Sequence, residues 1–120
     1  MKFYVCEQGD GIALFLQDSA ACAKAGLKEL IPGEVDAAQE KHLPVRVAEE
    51  AERVTVSVGQ VEHPMEDKHW IQWVVLETDR GTAIRYLHPG QPPRADFALL
   101  PDEKVQAVYA YCNLHGLWKA

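Results

Sequence analysis

The sequence has little of what secreted, membrane-bound or nucleic-acid-binding proteins require. Its three cysteines, at positions 6, 22 and 112, are an odd number without a Cys-x-x-Cys pair, which argues against a disulfide framework. No apolar run approaches the length of a signal-peptide core or of a membrane span. Acidic residues outnumber Lys and Arg by 18 to 12, and the net charge of −6 argues against a basic face for nucleic acid or anionic lipid. We therefore expect a cytoplasmic protein that binds neither nucleic acid nor a membrane.

What the chain does contain is a series of short β-prone segments separated by turns. Residues 54–58 read Val-Thr-Val-Ser-Val, an alternation of apolar and polar side chains that is typical of a strand with one buried face. The segment 88–93 contains three prolines and must be a loop, because proline cannot serve a central strand. Several short antiparallel strands within about 80 residues are typical of an immunoglobulin-like β-sandwich. The sequence therefore predicts an all-β fold, with strands at 54–58, 70–78, 82–87, 95–100 and 105–111.

The beginning of the chain predicts a small additional unit. Residues 3–6 and 12–16 are β-prone and flank a Gly-Asp-Gly turn, which is typical of a β-hairpin. The Ala- and Lys-rich stretch over residues 19–30 favours a helix by propensity alone. About 35 residues bury little apolar surface by themselves. This unit must therefore be supported by a metal, by the rest of the chain or by a second subunit.

Four of the five histidines lie in contexts typical of loops. Two of them bracket the polar segment 63–69, and a third lies just before Pro44, which is expected to hold it extended. The fourth follows the last cysteine in a Cys-x-x-His pattern, whose spacing brings a thiolate and an imidazole within reach of one ion. Loops at the end of a rigid sandwich can bring distant segments together. The candidate metal ligands are therefore His42, His63, His69, Cys112 and His115.

The donor set is unusual for a purely structural metal site. A single histidine is more often a surface or core residue, and a free buried cysteine usually acts as a small apolar side chain. Structural zinc prefers four ligands, typically with two or more thiolates. Four imidazoles and one thiolate make five donors, which would leave an octahedral metal one open position for chemistry. Donor type alone does not separate iron from copper or cobalt, and a structural metal-binding module or a closed electron-transfer centre remain alternatives.

Three segments together resemble the superoxide reductases of the desulfoferrodoxin and neelaredoxin group. They read EKHLPV over residues 40–45, GQVEHPMEDKHWI over 59–71 and YCNLHGLWK over 111–119. The resemblance extends through essentially the whole chain. It implies a mononuclear iron held by four equatorial imidazoles, from His42, His63, His69 and His115, with Cys112 as the axial thiolate.

The same resemblance implies an activity and its participants. Such an enzyme reduces superoxide to hydrogen peroxide with one electron from a rubredoxin-like donor, and its relatives are homodimers. Glu40 would be the carboxylate that closes on the oxidised iron, and Lys41 the cation that attracts the anionic substrate despite the negative net charge.

Asn113 is expected either to cap its loop or to hydrogen-bond near the thiolate. Trp118 is interpreted as a core residue, and His88 as a surface residue.

The beginning of the chain departs from the two-iron members of that group. Those members hold a second iron in a desulforedoxin-like domain through a Cys-x-x-Cys pair and an adjacent Cys-Cys pair. Here the corresponding segments read Cys6-Glu7-Gln8-Gly9 and Cys22-Ala23, so each pair lacks one thiol. Two thiolates are too few for a tetrahedral sulfur site. The resemblance implies a desulforedoxin-like domain at 1–36 without metal, whose short strands and turns conflict with the helix favoured over 19–30, and a one-iron sandwich domain at 37–120.

Overall fold

The computed structural model describes residues 1–9, 11–15 and 26–120, and the regular secondary structure in this part of the chain is almost entirely β-strand. One helical turn, α1, interrupts the strands, and no described helix is long or apolar enough to cross a membrane. The prediction of an all-β fold is confirmed. In chain order the elements are β1 Phe3–Cys6, β2 Ile12–Leu14, β3 Leu27–Leu30, α1 Gln39–His42, β4 Pro44–Glu50, β5 Arg53–Val58, β6 Ile71–Thr78, β7 Gly81–Tyr86, β8 Arg94–Ala98, β9 Val105–Cys112 and β10 Gly116–Lys119.

Two antiparallel sheets, ordered β10-β9-β6-β7 and β4-β5-β8, form the predicted sandwich. Their facing surfaces enclose the main apolar core. Val54, Val56 and Val58 of β5 are fully buried there and pack in one cluster with Val74 and Leu76 of β6. Burial of each such side chain contributes roughly 1.5–3 kcal/mol, so the alternation of β5 fixes which of its faces points inward.

The beginning of the chain forms a third sheet, ordered β2-β1-β3, and the predicted hairpin is confirmed as β1 and β2. Phe3 is buried against Val75 and Tyr109 on the outer face of the β6–β9 pair. The rest of the chain therefore provides at least part of the support that this unit needs. The placement of a domain boundary at 36/37 remains a prediction.

The prediction of a helix over 19–30 is wrong for the part of this range that the structure describes. Leu27–Leu30 form β3, which pairs with β1 so that Leu30 lies opposite Phe3. Hydrogen bonds and side-chain burial from this pairing outweigh the weak local preference of the segment. Residues 19–25 lie outside the described residues.

The segment just before the sandwich also differs from its prediction. His42 is the last residue of α1 rather than part of an extended segment. The residue that Pro44 holds extended is Leu43, its direct neighbour, with φ −66° and ψ 127°. The short helix thus ends at His42, and the chain passes directly into β4.

Candidate metal centre

Antiparallel pairing brings the predicted ligand segments to one end of the sandwich. The start of β4, which follows His42, lies opposite the end of β5, which precedes the loop of His63. The start of β6 lies opposite the end of β9, because Ile71 pairs with Cys112. Since β9 and β10 form a hairpin, the loop that joins them lies at the same end. Segments far apart in sequence therefore meet for a topological reason.

All five candidate ligands are brought close together at this end. One potential ligand atom from each of His42, His63, His69 and Cys112 lies within 4.8 Å of the other three. His115 adjoins this set, with Nδ1 3.0 Å from Nε2 of His42 and 3.8 Å from Sγ of Cys112. The four imidazoles also contact one another edge to face, with ring centroids 4.6–5.0 Å apart for the tightest pairs.

Backbone carbonyls orient two of these rings. His42 donates Nδ1–H to the carbonyl oxygen of Ala38, and His63 donates Nδ1–H to that of Pro64, each at 2.7 Å. A neutral imidazole that donates from Nδ1 carries its lone pair on Nε2, so both rings present a metal-binding nitrogen to the centre. This tautomer is assigned from the hydrogen-bond network.

Two buried nitrogen atoms at the centre have no hydrogen-bond partner among the described residues. Within the part of the chain that the structure describes, Nε2 of His63 and Nε2 of His69 are buried and have no hydrogen-bond partner. A buried polar atom left in this way costs about 1–3 kcal/mol, and a metal ion is a natural partner for such lone pairs. The residues present therefore fit a metal ion.

Burial also sets the protonation states of the candidate ligands. It lowers the pKa of His63 to about 4 and lowers the pKa values of His42 and His69. For His42 and His69, His115 and the charge of Lys41 act in the same direction as burial. The three rings are consequently neutral near pH 7, which is the form that binds metal.

The pKa of the Cys112 thiol shifts in the opposite direction. Its side chain is fully buried, and burial raises its pKa. Hydrogen bonds from the backbone N–H groups of Leu114 and His115 favour the thiolate and counteract this in part. Without a metal the group is therefore a thiol near pH 7, and a metal ion must displace its proton in order to bind sulfur.

Glycine at position 59 permits the close approach of two ligand segments. Gly59 has φ +87°, and a Cβ atom there would collide with the carbonyl oxygen of Val61 and lie 2.7 Å from that of Lys41. Its N–H donates to the carbonyl oxygen of Leu43 at 2.9 Å. The loop that carries His63 can therefore lie directly against the α1 turn. This role was not predicted from the sequence, where a glycine at the end of an alternating strand was the available signal.

Glu40 and Lys41 lie on α1 beside His42, and both side chains are exposed. The carbonyl oxygen of Glu40 accepts a hydrogen bond from the N–H of Val61 at 3.0 Å, which links α1 to the neighbouring loop. The charge of Lys41 lowers the pKa of His69 as well as that of its neighbour His42. Both residues are thus close to the centre and in contact with solvent.

The fold and the site together define an all-β metalloprotein scaffold with a mixed imidazole and thiolate centre at one end of a sandwich. Comparison with known proteins agrees with this class. Residues 34–120 match the family described as Desulfoferrodoxin. The desulfoferrodoxin of Nitratidesulfovibrio vulgaris is 43% identical over 99 residues, which cover 82% of this chain and 76% of the relative. That of Clostridium acetobutylicum is 37% identical over 123 aligned positions, which cover 100% of this chain and 95% of the relative.

A solved structure extends the agreement to the whole fold. The superoxide reductase from Treponema pallidum is similar with a TM-score of 0.80 and 36% sequence identity, and the match covers 100% of this chain and 99% of that one. The chain belongs to the desulfoferrodoxin family. The resemblance drawn from the three sequence segments is confirmed.

Proposed function

We propose that this protein is a superoxide reductase with one iron in the centre described above. The observation that carries the proposal is the convergence of His42, His63, His69 and Cys112 within 4.8 Å, with His115 beside them. Its family and its similarity to the reductase of Treponema pallidum support the same activity. In this reaction one superoxide, one electron and two protons give one hydrogen peroxide.

Each of the five ligands has a defined task in this proposal. His42 and His63 bind through Nε2, because their Nδ1–H groups are held by backbone carbonyls. His69 also binds through Nε2, whereas His115 binds through Nδ1, the nitrogen that faces His42 and Cys112. Cys112 supplies a thiolate, whose donation raises the electron density of a bound iron. Iron in this centre would supply the electron that reduces superoxide, and the five protein donors would hold it.

Two exposed residues of α1 complete the proposed site. Lys41 attracts superoxide to a molecule with net charge −6, and it helps to organise the water that delivers protons. Glu40, one residue earlier, would be the carboxylate available to the centre once a bound iron is oxidised. A structural metal site would need neither a nearby cation nor a carboxylate at its solvent side.

The remaining participants are proposed from the family resemblance. The electron comes from a rubredoxin-like donor, and the protein acts as a homodimer. The N-terminal sheet holds no second iron, because Cys6 and Cys22 provide at most two thiolates. Cys6 is a free, half-buried thiol at the end of β1, and Cys22 lies outside the described residues.

An anaerobic reaction with superoxide tests this function. Metal-free protein is loaded with Fe²⁺, given one equivalent of superoxide, and followed by visible absorption together with peroxide and dioxygen assays. The same protein loaded with redox-inert Zn²⁺ is the control. We expect a thiolate-to-ferric absorption band and one peroxide per superoxide without dioxygen, in the iron-loaded sample only.

Two results would contradict the proposal. Release of one dioxygen for each peroxide would identify dismutation instead of reduction. Superoxide decay at the same rate in the iron and zinc samples would favour a non-enzymatic metal-binding or electron-transfer module of the same fold.

A further inference from the structure

Asn113 closes the β6–β9 pair at the end where the candidate metal centre lies. It is the first residue after Cys112, and its N–H donates to the carbonyl oxygen of Trp70 at 3.2 Å. In return, the N–H of Trp70 donates to the side-chain Oδ1 of Asn113 at 2.9 Å. One residue therefore satisfies both backbone groups of Trp70, just beyond the last strand pair.

The side-chain amide of Asn113 forms a third bond in the same region. Its Nδ2 donates to the carbonyl oxygen of Lys68 at 3.0 Å. Lys68 and Trp70 are the two neighbours of His69, so Asn113 is bonded to the chain on both sides of that candidate ligand. Only a side chain with both a donor and an acceptor can make this pair of bonds. Asn113 is the single asparagine of the sequence.

His69 lies in a tight turn before β6, and Asn113 bonds this turn to the end of β9. The turn is closed on itself by reciprocal backbone hydrogen bonds between Glu66 and His69, at 2.9 and 3.0 Å. These bonds fix the shape of the turn but not its position relative to β9. The bonds from Asn113 fix that position directly, from the residue next to Cys112.

The opposite end of the same strand pair has a closely matched arrangement. There the N–H of Asp79 donates to the carbonyl oxygen of Lys104 at 3.0 Å, and the N–H of Lys104 donates to Oδ1 of Asp79 at 2.9 Å. The carboxylate of Asp79 can accept a hydrogen bond but cannot donate one. It therefore has no counterpart of the bond that Nδ2 of Asn113 donates to Lys68. Because β6 is eight residues long, this second closure is about 25 Å from the metal centre.

We propose that Asn113 is a positioning residue that holds His69 and Cys112 in register as ligands of one metal ion. The inference rests on the proposed metal centre but not on superoxide being the substrate. Residues that orient metal ligands typically contribute a factor of about 10–100 to metal affinity. Asn113 acts through the backbone on both sides of His69 and does not bind the metal itself.

A cobalt titration of metal-free protein tests this role without any enzymatic assay. The variants are Asn113→Ala, Asn113→Leu, which keeps the branched shape of the side chain without donor or acceptor, and Asp79→Ala as the matched control. Affinity is read from the thiolate-to-cobalt absorption band, and stability of the metal-free proteins from thermal unfolding. We expect both Asn113 variants to bind Co²⁺ about 10-fold or more weakly than the wild type. Asp79→Ala should lose stability but bind Co²⁺ like the wild type.

The outcomes separate this inference from the proposed function. If the wild type itself shows no thiolate-to-cobalt band, the metal centre is wrong, and this inference with it. If the wild type binds and Asn113→Leu binds equally well, Asn113 is not a positioning residue. Equal losses of affinity in Asn113→Leu and Asp79→Ala would likewise overturn the inference, because general destabilisation would then account for both. Asn113→Leu alone suffices for the comparison if the alanine variant does not fold.

Discussion

The indole of Trp118 lies against the imidazole of His42, with ring centroids 4.9 Å apart and planes inclined by 26°. The same indole donates Nε1–H to the carbonyl oxygen of His115 at 3.1 Å. Trp118 is 2% exposed, so these contacts lie within the packed interior. One core side chain thus supports two candidate ligands that are 73 residues apart in sequence.

Replacing Trp118 with phenylalanine should weaken both the fold and the metal centre. Trp118→Phe keeps an aromatic ring against His42 but removes the donor to His115, which costs about 1–3 kcal/mol in the free energy of unfolding. Urea unfolding measures this cost, and Co²⁺ titration measures the loss of affinity. Trp73→Phe is the control, because Trp73 stacks on Tyr111 at 5.1 Å and on Phe3, away from the ligands. Unchanged Co²⁺ affinity in Trp118→Phe would show that Trp118 is only a core residue.

Gly59→Ala should be much more damaging than the same change at Gly90. Both glycines have φ +87°, but a Cβ atom at Gly59 meets the backbone of Val61 and Lys41, whereas at Gly90 it meets no atom within 4 Å among the described residues. Gly90→Ala should cost about 1–2 kcal/mol from the left-handed backbone alone. Gly59→Ala should cost clearly more in urea unfolding and should weaken Co²⁺ binding, because the collision separates the segments of His42 and His63. Equal costs at the two positions would contradict this account.

Cys112→Ser should remove the thiolate band and change the protons released when metal binds. Because burial raises its pKa, the thiol of Cys112 is protonated in the metal-free protein near pH 7, and metal binding should release about one proton per site. Calorimetry in buffers of different ionisation enthalpy measures this number. We expect the release to disappear in Cys112→Ser and to persist in Cys6→Ser, which changes the half-buried free thiol of β1. A thiolate-to-metal band that survives in Cys112→Ser would identify another sulfur ligand.

Lys41→Gln should slow the reaction with superoxide by about tenfold at low ionic strength, because it removes a cation beside the centre. Added salt should reduce the difference between variant and wild type, since it screens the charge of the native lysine. Lys68→Gln is the matched control: Lys68 also adjoins a candidate ligand in sequence, but of these two lysines only Lys41 lowers the pKa of His69. Pulse radiolysis over a range of salt concentrations gives the rates. If both variants slow the reaction equally, the loss of one positive charge from the molecule explains the effect, and Lys41 has no special role.

The metal-free protein should lose stability between pH 6.5 and about pH 4. Burial lowers the pKa of His63 from 6.5 to about 4, so in this window the unfolded chain binds a proton that the folded chain does not. The free energy of unfolding therefore falls as pH is lowered, by up to about 3 kcal/mol for this residue. His42 and His69 contribute in the same direction. Urea unfolding at several pH values measures the slope, which His63→Gln should reduce.

Local patterns in the sequence predicted most of the strands but not all of them. The alternation over 54–58 and the apolar run over 70–78 correspond to β5 and β6, because the period of a half-buried strand is visible in the sequence itself. β4 was missed because it is an edge strand of mostly exposed residues, for which no apolar face is required. β3 was predicted as helix because its pairing with β1 is not visible in local propensity.

The sequence by itself determined the family, the strand periodicity and the five candidate ligands, because motif spacing and residue type are local properties. Tertiary structure decided which of these side chains meet, since distances between segments tens of residues apart depend on sheet register. It also revealed the contacts of Gly59, Asn113 and Trp118 with residues of other segments. These contacts exist only once the segments are packed together. They are the close backbone approach at Gly59, the bonds of Asn113 to the chain on either side of His69, and the ring of Trp118 stacked on His42.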